Sequence, residues 1–162
     1  MNMVDLDSIS IPASDDWAEI RDGVGRLCAE FPNDYWLELD KHDRYPTDFV
    51  RRLTDSGFLG ALIPEEYGGS GLPLSAAGVV LETIHERGCN AAACHAQMYT
   101  MGTVLKYGSV EQKRAYLPGI ASGALRLQAF GVTEPTTGSD TTQLKTRAER
   151  TERGTYIVNG QK

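Results

Sequence analysis

Residues 127–140 read LQAFGVTEPTTGSD, an apolar β-prone run that changes abruptly into a polar turn. Pro135 and Gly138 force the backbone out of a strand after Thr133, because proline cannot donate to a ladder and both residues favour turns. The turn holds four hydroxyl side chains: Thr133, Thr136, Thr137 and Ser139. Hydroxyls and amides that point to one place suit an anionic or heteroaromatic ligand, and an ordinary polar loop is the alternative.

Length and charge narrow the class of protein. A chain of 162 residues can bury one core, or one domain plus the beginning of another. Sixteen Lys and Arg against 22 Asp and Glu give a net charge of −6, and the sequence shows no basic stripe, which argues against a nucleic-acid partner. No stretch approaches the ~18 apolar residues that a membrane helix needs. The acidic amino terminus and three cysteines predict a reducing, cytoplasmic location.

Apolar periodicity and capping signals predict an all-α domain over residues 14–123, after a loose leader at 1–13. Ser14, followed by two aspartates, is the predicted start of the first helix, which is followed by an Asp-rich connector at 32–45. The remaining predicted helices are one from Pro46 to Gly57, one over 74–87, one over 90–107 capped by Asn90, one opened by the Ser109–Gln112 capping box and ended before Pro118, and a short turn at 118–123.

Residues 124–162 predict the start of a β domain. We expect strands at 125–132, 143–150 and 155–159, with a turn at 152–154. Asn159-Gly160 is a strong hairpin signal, yet only two residues follow it, so we expect that the sequence is cut inside a sheet. Helices first and strands afterwards indicate an α+β fold rather than alternating βαβ units.

Four motifs in order carry a resemblance to a known family. They are IPEEYGGSG at 63–71, YGSVEQKRAYLP at 107–118, TEPTTGSD at 133–140 and YIVNGQK at 156–162. Together they resemble the amino-terminal half of an acyl-CoA dehydrogenase, over about residues 15–162. The resemblance implies a helical bundle followed by the first strands of an antiparallel β-barrel-like domain, an FAD cofactor and a homotetramer.

The resemblance also implies roles for the residues of the polar turn. Phe130 and Val132 would lie along the isoalloxazine ring, and Thr133 would hydrogen-bond its pyrimidine edge. Gly138 and Ser139 would approach the pyrophosphate, and Ser139 would also touch the thioester substrate. Hydrogen bonds at the pyrimidine edge stabilise the negative charge that arrives on reduction, so these residues tune the cofactor.

The implied reaction is removal of the α-proton of an acyl-CoA by a carboxylate, with hydride transfer from the β-carbon to the flavin. Electron-transfer flavoprotein is the implied electron acceptor. The family's catalytic glutamate belongs to a later helical domain, so we assign no catalytic residue to this chain. Glu65, Glu66 and Glu134 lie in a turn or beside a proline, and we expect surface or structural roles for them.

His95 and Tyr99 are the candidate substrate residues, because their segment matches the helix that lines the family's acyl cavity. A helix residue packed between domains is an equally weighted alternative for His95. The segment HAQMYTM at 95–101 is polar, which favours a short, branched or functionalised acyl group.

The sequence leaves two alternative functions open, and it argues against a metal site and a phosphate-binding loop. A non-catalytic helical assembly module and a flavin oxidase or monooxygenase are the alternative functions, since fold does not fix reaction. Cys89, Cys94 and His95 lack a second ligand pair, so we predict core cysteines and no metal. The glycines of 68–71 have no lysine after them, so we predict a structural turn rather than a phosphate loop.

Overall fold

The computed structural model describes residues 17–162, which divide into two compact units. The first unit extends to Gln128 and contains only helices, whereas the second, Ala129–Lys162, contains two strands. The predicted α+β class is therefore confirmed. The predicted leader at 1–13 and the helix start at Ser14 lie outside the described residues.

Six α-helices form the described part of the first unit. They are α1 Ala18–Cys28, α2 Asn33–Lys41, α3 Thr47–Asp55, α4 Leu74–Glu86, α5 Ala92–Tyr107 and α6 Val110–Ala121, with short 3₁₀ turns at Phe58–Gly60 and Glu65–Tyr67. The predicted helices at 74–87 and 90–107 are present as α4 and α5. The predicted Asn90 cap is wrong, because α5 begins at Ala92 with Ala91 as its N-cap, although Asn90 Oδ1 accepts the Ala92 amide over 2.8 Å just before it. The predicted capping box is also present, because the Gln112 amide donates to Ser109 Oγ over 3.2 Å and the Ser109 amide donates to Gln112 Oε1 over 2.8 Å.

The connector predicted at 32–45 is wrong, because α2 occupies most of it. None of the residues of α2 is fully buried, and the aspartates and aromatic residues of this segment suggested a connector. Its aromatic rings are held instead by contacts with other elements. The Trp36 ring lies 4.9 Å from Phe49, and the Tyr35 ring lies 5.0 Å from Phe31, both edge-on.

The predicted helix end before Pro118 is wrong as well. Pro118 lies inside α6, and the helix continues to Ala121, so the separate turn predicted at 118–123 is its last turn. A proline inside a helix is costly by itself. Leu117 and Ile120 on either side of it are completely buried, and their packing holds this turn in the helix.

The core of the first unit lies between α1, α3, α4, α5 and α6. Its largest fully buried side chains include Phe49, Leu53, Leu59, Ile63, Ile84, Met101, Leu117 and Ile120. All three cysteines are buried there. Burial raises the pKa of the Cys28 and Cys94 thiols to about 12, so both are neutral packing groups at physiological pH.

The second unit contains an antiparallel hairpin of β1, Arg147–Arg150, and β2, Tyr156–Asn159. Arg147 pairs with Asn159, and Arg150 pairs with Tyr156. Gly154 has φ 77° in the connecting turn, a conformation that glycine adopts without strain. The predicted hairpin around residues 152–154 is confirmed, but its first strand begins at Arg147 rather than at 143, because a 3₁₀ turn at Thr141–Gln143 precedes it.

The strand predicted at 125–132 is absent, since none of these residues is in a strand. Leu125 and Leu127 instead pack against the helical core of the first unit, and the Leu125 amide donates to the Gly119 carbonyl over 2.8 Å. Strand propensity reflects how well side chains fit a pleated sheet surface. Residues 125–132 have no partner strand in the described structure, so their propensity does not produce a strand.

The hairpin turn predicted at Asn159-Gly160 is also wrong. Asn159 is the last residue of β2, and Gly160 does not have the positive φ that a type I′ turn requires. A Cβ at Gly160 would lie 2.1 Å from Thr146 Oγ1, so this position excludes a side chain because the chain passes so close to Thr146. Space explains the glycine here, and turn geometry does not.

Candidate functional site

The polar loop at residues 133–140 is closed by a tight turn through Pro135. The Glu134 amide donates to the Thr137 carbonyl over 2.9 Å, and the Thr137 amide returns a bond of 3.2 Å to the Glu134 carbonyl. Proline fits the turn because its ring fixes φ, so the Glu-Pro pair sets the loop's shape locally.

Glu134 is the buried anchor of this loop, with only 4% of its side chain exposed. Its Oε2 accepts the Lys145 amide at 2.7 Å, and its Oε1 accepts the Thr146 amide at 2.9 Å and Lys162 Nζ at 3.0 Å. The Thr146 side chain, the Lys145 amide and the Lys162 ammonium lower the pKa of Glu134 to about 2. A carboxylate that is this well satisfied is a structural group and a poor general base.

The depressed pKa of Glu134 predicts a pH dependence of the second unit. Because the folded pKa of about 2 lies below the ordinary pKa of 4.5, the stabilising effect of ionised Glu134 is present above about pH 4.5 and is lost as the pH falls through 2. We expect the protection factors of the Lys145 and Thr146 amides to fall over this window, as measured by NMR hydrogen exchange. Glu134→Gln should show low protection at neutral pH already and little further fall. Equal, pH-independent protection in both proteins would contradict this assignment.

Some hydroxyls of the loop make hydrogen bonds within the protein, and others are exposed. Thr137 Oγ1 donates to the Asp140 carbonyl over 2.6 Å, so it closes the loop and is not the fourth convergent donor that the sequence suggested. The Asp140 carboxylate is held by Thr142, which also lowers the pKa of Asp140. No hydrogen bond within residues 17–162 engages the three remaining hydroxyls, which are exposed: Thr133, Thr136 and Ser139.

The residues assigned to a flavin lie along one short segment of the second unit. Phe130 is 60% exposed, and Thr133 and Ser139 are exposed after it. A Cβ at Gly138 would lie 3.6 Å from Thr133 Cγ2, so the turn brings Gly138 back beside Thr133. An exposed ring near uncommitted hydroxyls fits a flavin, which has both an apolar face and a hydrogen-bonding edge.

Val132 contributes through its backbone as well as its half-buried side chain. Its carbonyl accepts Lys162 Nζ at 2.9 Å, the same ammonium that contacts Glu134. Lys162 was not predicted to be a site residue, although it closes the fourth motif. No pattern could have identified it, because one of its two acceptors is a backbone carbonyl 30 residues away.

His95 and Tyr99 lie one turn apart on the exposed side of α5, with ring centroids 5.2 Å apart at an interplanar angle of 78°. The opposite side of α5 is buried, and Gln97 is its polar member. Gln97 Oε1 accepts Gln128 Nε2 at 3.0 Å, and Gln128 in turn accepts Tyr45 Oη at 2.5 Å. This buried amide pair was not predicted, since glutamine on a helix usually faces solvent.

A cavity of about 880 Å³ lies in the first unit, between α2, the end of α4 and the start of α5. Its lining includes Trp36, Tyr45, His85, Asn90, Ala93 and Gln128, and excludes His95 and Tyr99. Glu65 and Glu66 are exposed on a 3₁₀ turn away from this lining. Within residues 17–162, no group of three His, Cys, Asp or Glu side chains could hold a metal, and no helix is long and apolar enough to cross a membrane.

The six-helix unit and the hairpin that follows it define the class of this protein, an α+β fold of the acyl-CoA dehydrogenase type. The family model for the N-terminal domain of acyl-CoA dehydrogenases matches residues 14–124. The chain belongs to the acyl-CoA dehydrogenase family, whose members are FAD-dependent oxidoreductases.

Individual relatives agree with this assignment. The acyl-CoA dehydrogenase FadE12 of Mycobacterium tuberculosis is 31% identical over 150 residues, which are 92% of this chain and 38% of the relative. A glutaryl-coenzyme A dehydrogenase in complex with glutaryl-CoA has a TM-score of 0.77 at 28% identity, covering 94% of this chain and 39% of that one. An FAD complex of a Bacillus anthracis acyl-CoA dehydrogenase has a TM-score of 0.71 at 30% identity, covering 91% and 26%. The chain therefore spans about two fifths of the curated relative's length.

Proposed function

We propose that this chain supplies the flavin-contacting loop and part of the acyl pocket of an enzyme that α,β-dehydrogenates an acyl-CoA thioester. The observation that carries the proposal is that the 133–140 loop contains both a hydrogen-bonded anchor and exposed hydroxyl groups. Glu134 is buried and fully bonded, whereas the hydroxyls of Thr133 and Ser139 are exposed and uncommitted. The loop therefore has a well-bonded anchor and exposed hydroxyls that are available to a ligand.

The chemistry that bound FAD would supply is acceptance of a hydride from the acyl β-carbon. Thr133 would donate to the pyrimidine edge, Phe130 and Val132 would contact the ring, and Gly138 would let the backbone approach the pyrophosphate. Ser139 would serve both the pyrophosphate and the thioester. The residues of this chain thus bind and orient. We assign no catalytic base to it, because a pKa of about 2 makes Glu134 a weak proton acceptor and both of its oxygens already accept hydrogen bonds.

The substrate would be an acyl-CoA with a short, branched or functionalised acyl group. His95 and Tyr99 present polar atoms on α5, which would disfavour a long unsubstituted chain. By the same resemblance we propose a cytoplasmic homotetramer that passes its electrons to electron-transfer flavoprotein.

Thr133→Val should keep the fold and weaken the protein's hold on FAD. The substitution preserves volume and removes one exposed hydroxyl donor, and hydrogen bonds to a group that develops charge contribute about 1.5–3 kcal/mol. In the flavin-loaded protein carrying this sequence, we expect the FAD dissociation constant to rise, or the rate of flavin reduction by acyl-CoA to fall, by about 10- to 150-fold. Fluorescence titration and stopped-flow absorbance measure the two quantities.

Thr141→Val is the matched control, since it makes the same change at an exposed threonine of the same unit. It should leave both quantities unchanged. Unchanged affinity and reduction rate in Thr133→Val would remove Thr133 from the proposed site.

A further inference from the structure

Lys162 and Glu134 bracket Thr133, the residue that our proposed function places against the flavin. Lys162 Nζ lies 2.9 Å from the Val132 carbonyl and 3.0 Å from Glu134 Oε1. Thr133 lies between these two acceptors in the sequence. One ammonium group therefore bonds to the residues on both sides of it.

Two hydrogen bonds, one from Lys162 and one from the Glu134 amide, fix the peptide planes on either side of Thr133. The Val132 carbonyl belongs to the peptide that ends at the Thr133 amide, and Lys162 holds it. The Glu134 amide belongs to the peptide that follows Thr133, and it donates to the Thr137 carbonyl over 2.9 Å. With both planes fixed, the direction of the Thr133 Cα–Cβ bond is fixed, and only rotation about that bond is left to place the hydroxyl, which bonds to no residue in the described range 17–162.

The surroundings hold Lys162 in this position. The Glu134 carboxylate is itself anchored by the Lys145 and Thr146 amides at the approach to β1. Gly160 passes so close to Thr146 that a Cβ there would lie 2.1 Å from Thr146 Oγ1, and this approach places the end of the chain beside the loop. Only 32% of the Lys162 side chain is exposed.

We propose that Glu134 and Lys162 are positioning residues, a clamp that preorganises the Thr133 hydroxyl for the flavin. Preorganisation means that a donor is ordered before its ligand binds, so that little conformational entropy is lost on binding. Neither clamp residue needs to touch the cofactor. Their effect on the flavin should pass entirely through Thr133.

A double-mutant cycle tests the clamp. Lys162→Met should accelerate hydrogen exchange at the Glu134 amide, which donates to the Thr137 carbonyl, in the flavin-free chain, and it should weaken FAD binding by about tenfold in the flavin-loaded protein. In a Thr133→Val background, the same change should have little further effect on FAD affinity. Lys162→Arg, which retains a cationic donor, should restore much of the affinity. Lys145→Met is the matched control, because the Lys145 side chain is exposed and only its backbone contacts Glu134.

Each outcome decides a separate point. Equal losses from Lys162→Met with and without the Thr133 hydroxyl would overturn the clamp, as would no loss at all. Protected amides of β1 and β2 in Lys162→Met show that the hairpin is intact, and their loss would assign Lys162 a general structural role instead. If Thr133→Val alone leaves FAD affinity unchanged while Lys162→Met still accelerates exchange at the Glu134 amide, the proposed flavin role of Thr133 fails although the geometric link between the residues holds.

Discussion

Gly69→Ala should destabilise the helical unit by about 3–5 kcal/mol, among the largest effects of any single methyl group in this chain. The added Cβ would lie 2.1 Å from the Ile63 carbonyl oxygen, 2.5 Å from the Gly60 carbonyl oxygen and 2.5 Å from Ile63 Cβ. Two of these atoms are backbone, so no side-chain rotation can relieve the overlap.

The cost is large because the crowded backbone also carries hydrogen bonds. The Gly71 amide donates to the Ile63 carbonyl over 2.8 Å, and the Leu72 amide donates to the Ala61 carbonyl over 2.7 Å. Separating the two segments would break these bonds and disturb Ile63, which is completely buried. The free energy of unfolding, measured by urea titration of helical circular dichroism, gives the size of the effect.

Gly78→Ala is the matched control in α4. An added Cβ at Gly78 meets nothing within 4 Å, so the variant should be more stable than the parent by about 0.5–1 kcal/mol, the usual gain of alanine over glycine in a helix. A Gly69→Ala protein as stable as the parent would mean that the segments around residues 60 and 69 are not in close contact.

Phe49→Ala should cost about 3–5 kcal/mol of unfolding free energy. Phe49 is completely buried, and its ring lies edge-on to Phe31 at 5.2 Å and to Trp36 at 4.9 Å. Removing it leaves a cavity and releases the ring contacts that hold α2. We therefore expect a change in tryptophan fluorescence together with the loss of stability.

Leu37→Ala is the control on α2, because the Leu37 side chain is 63% exposed. It should change stability by less than about 0.5 kcal/mol. A loss below about 1 kcal/mol for Phe49→Ala would show that the α2 rings do not depend on this core contact.

The comparison between sequence and structure separates local from tertiary causes. The carboxyl ends of α4 and α5, the Ser109 capping box and the 152–154 turn follow from signals within a few residues, and the structure confirms them. Helix α2 escaped prediction because it is held by half-buried rings that reach other elements. Residues 125–132 were misassigned because β propensity needs a partner strand.

The site divides in the same way. The TEPTTGSD sequence identified a polar loop, and the flavin roles of Phe130, Val132, Thr133, Gly138 and Ser139 stay predictions, as do the substrate roles of His95 and Tyr99. The loop's hydroxyls looked equivalent in the sequence, yet Thr137 closes the loop whereas Thr133 and Ser139 stay exposed. Only the fold shows which hydroxyls already make a hydrogen bond within the protein.

By itself, the sequence determined the α+β class, the family and the position of the polar loop, because caps, glycines and prolines act within one or two turns of chain. The tertiary structure alone decided that Gly160 is required by its approach to Thr146 and that Lys162 lies beside Val132. The physical reason is that these contacts join residues far apart in the sequence, and in each of them one partner is backbone: the Gly160 main chain against the Thr146 side chain, and the Val132 carbonyl against Lys162 Nζ. No pattern of side chains can record them.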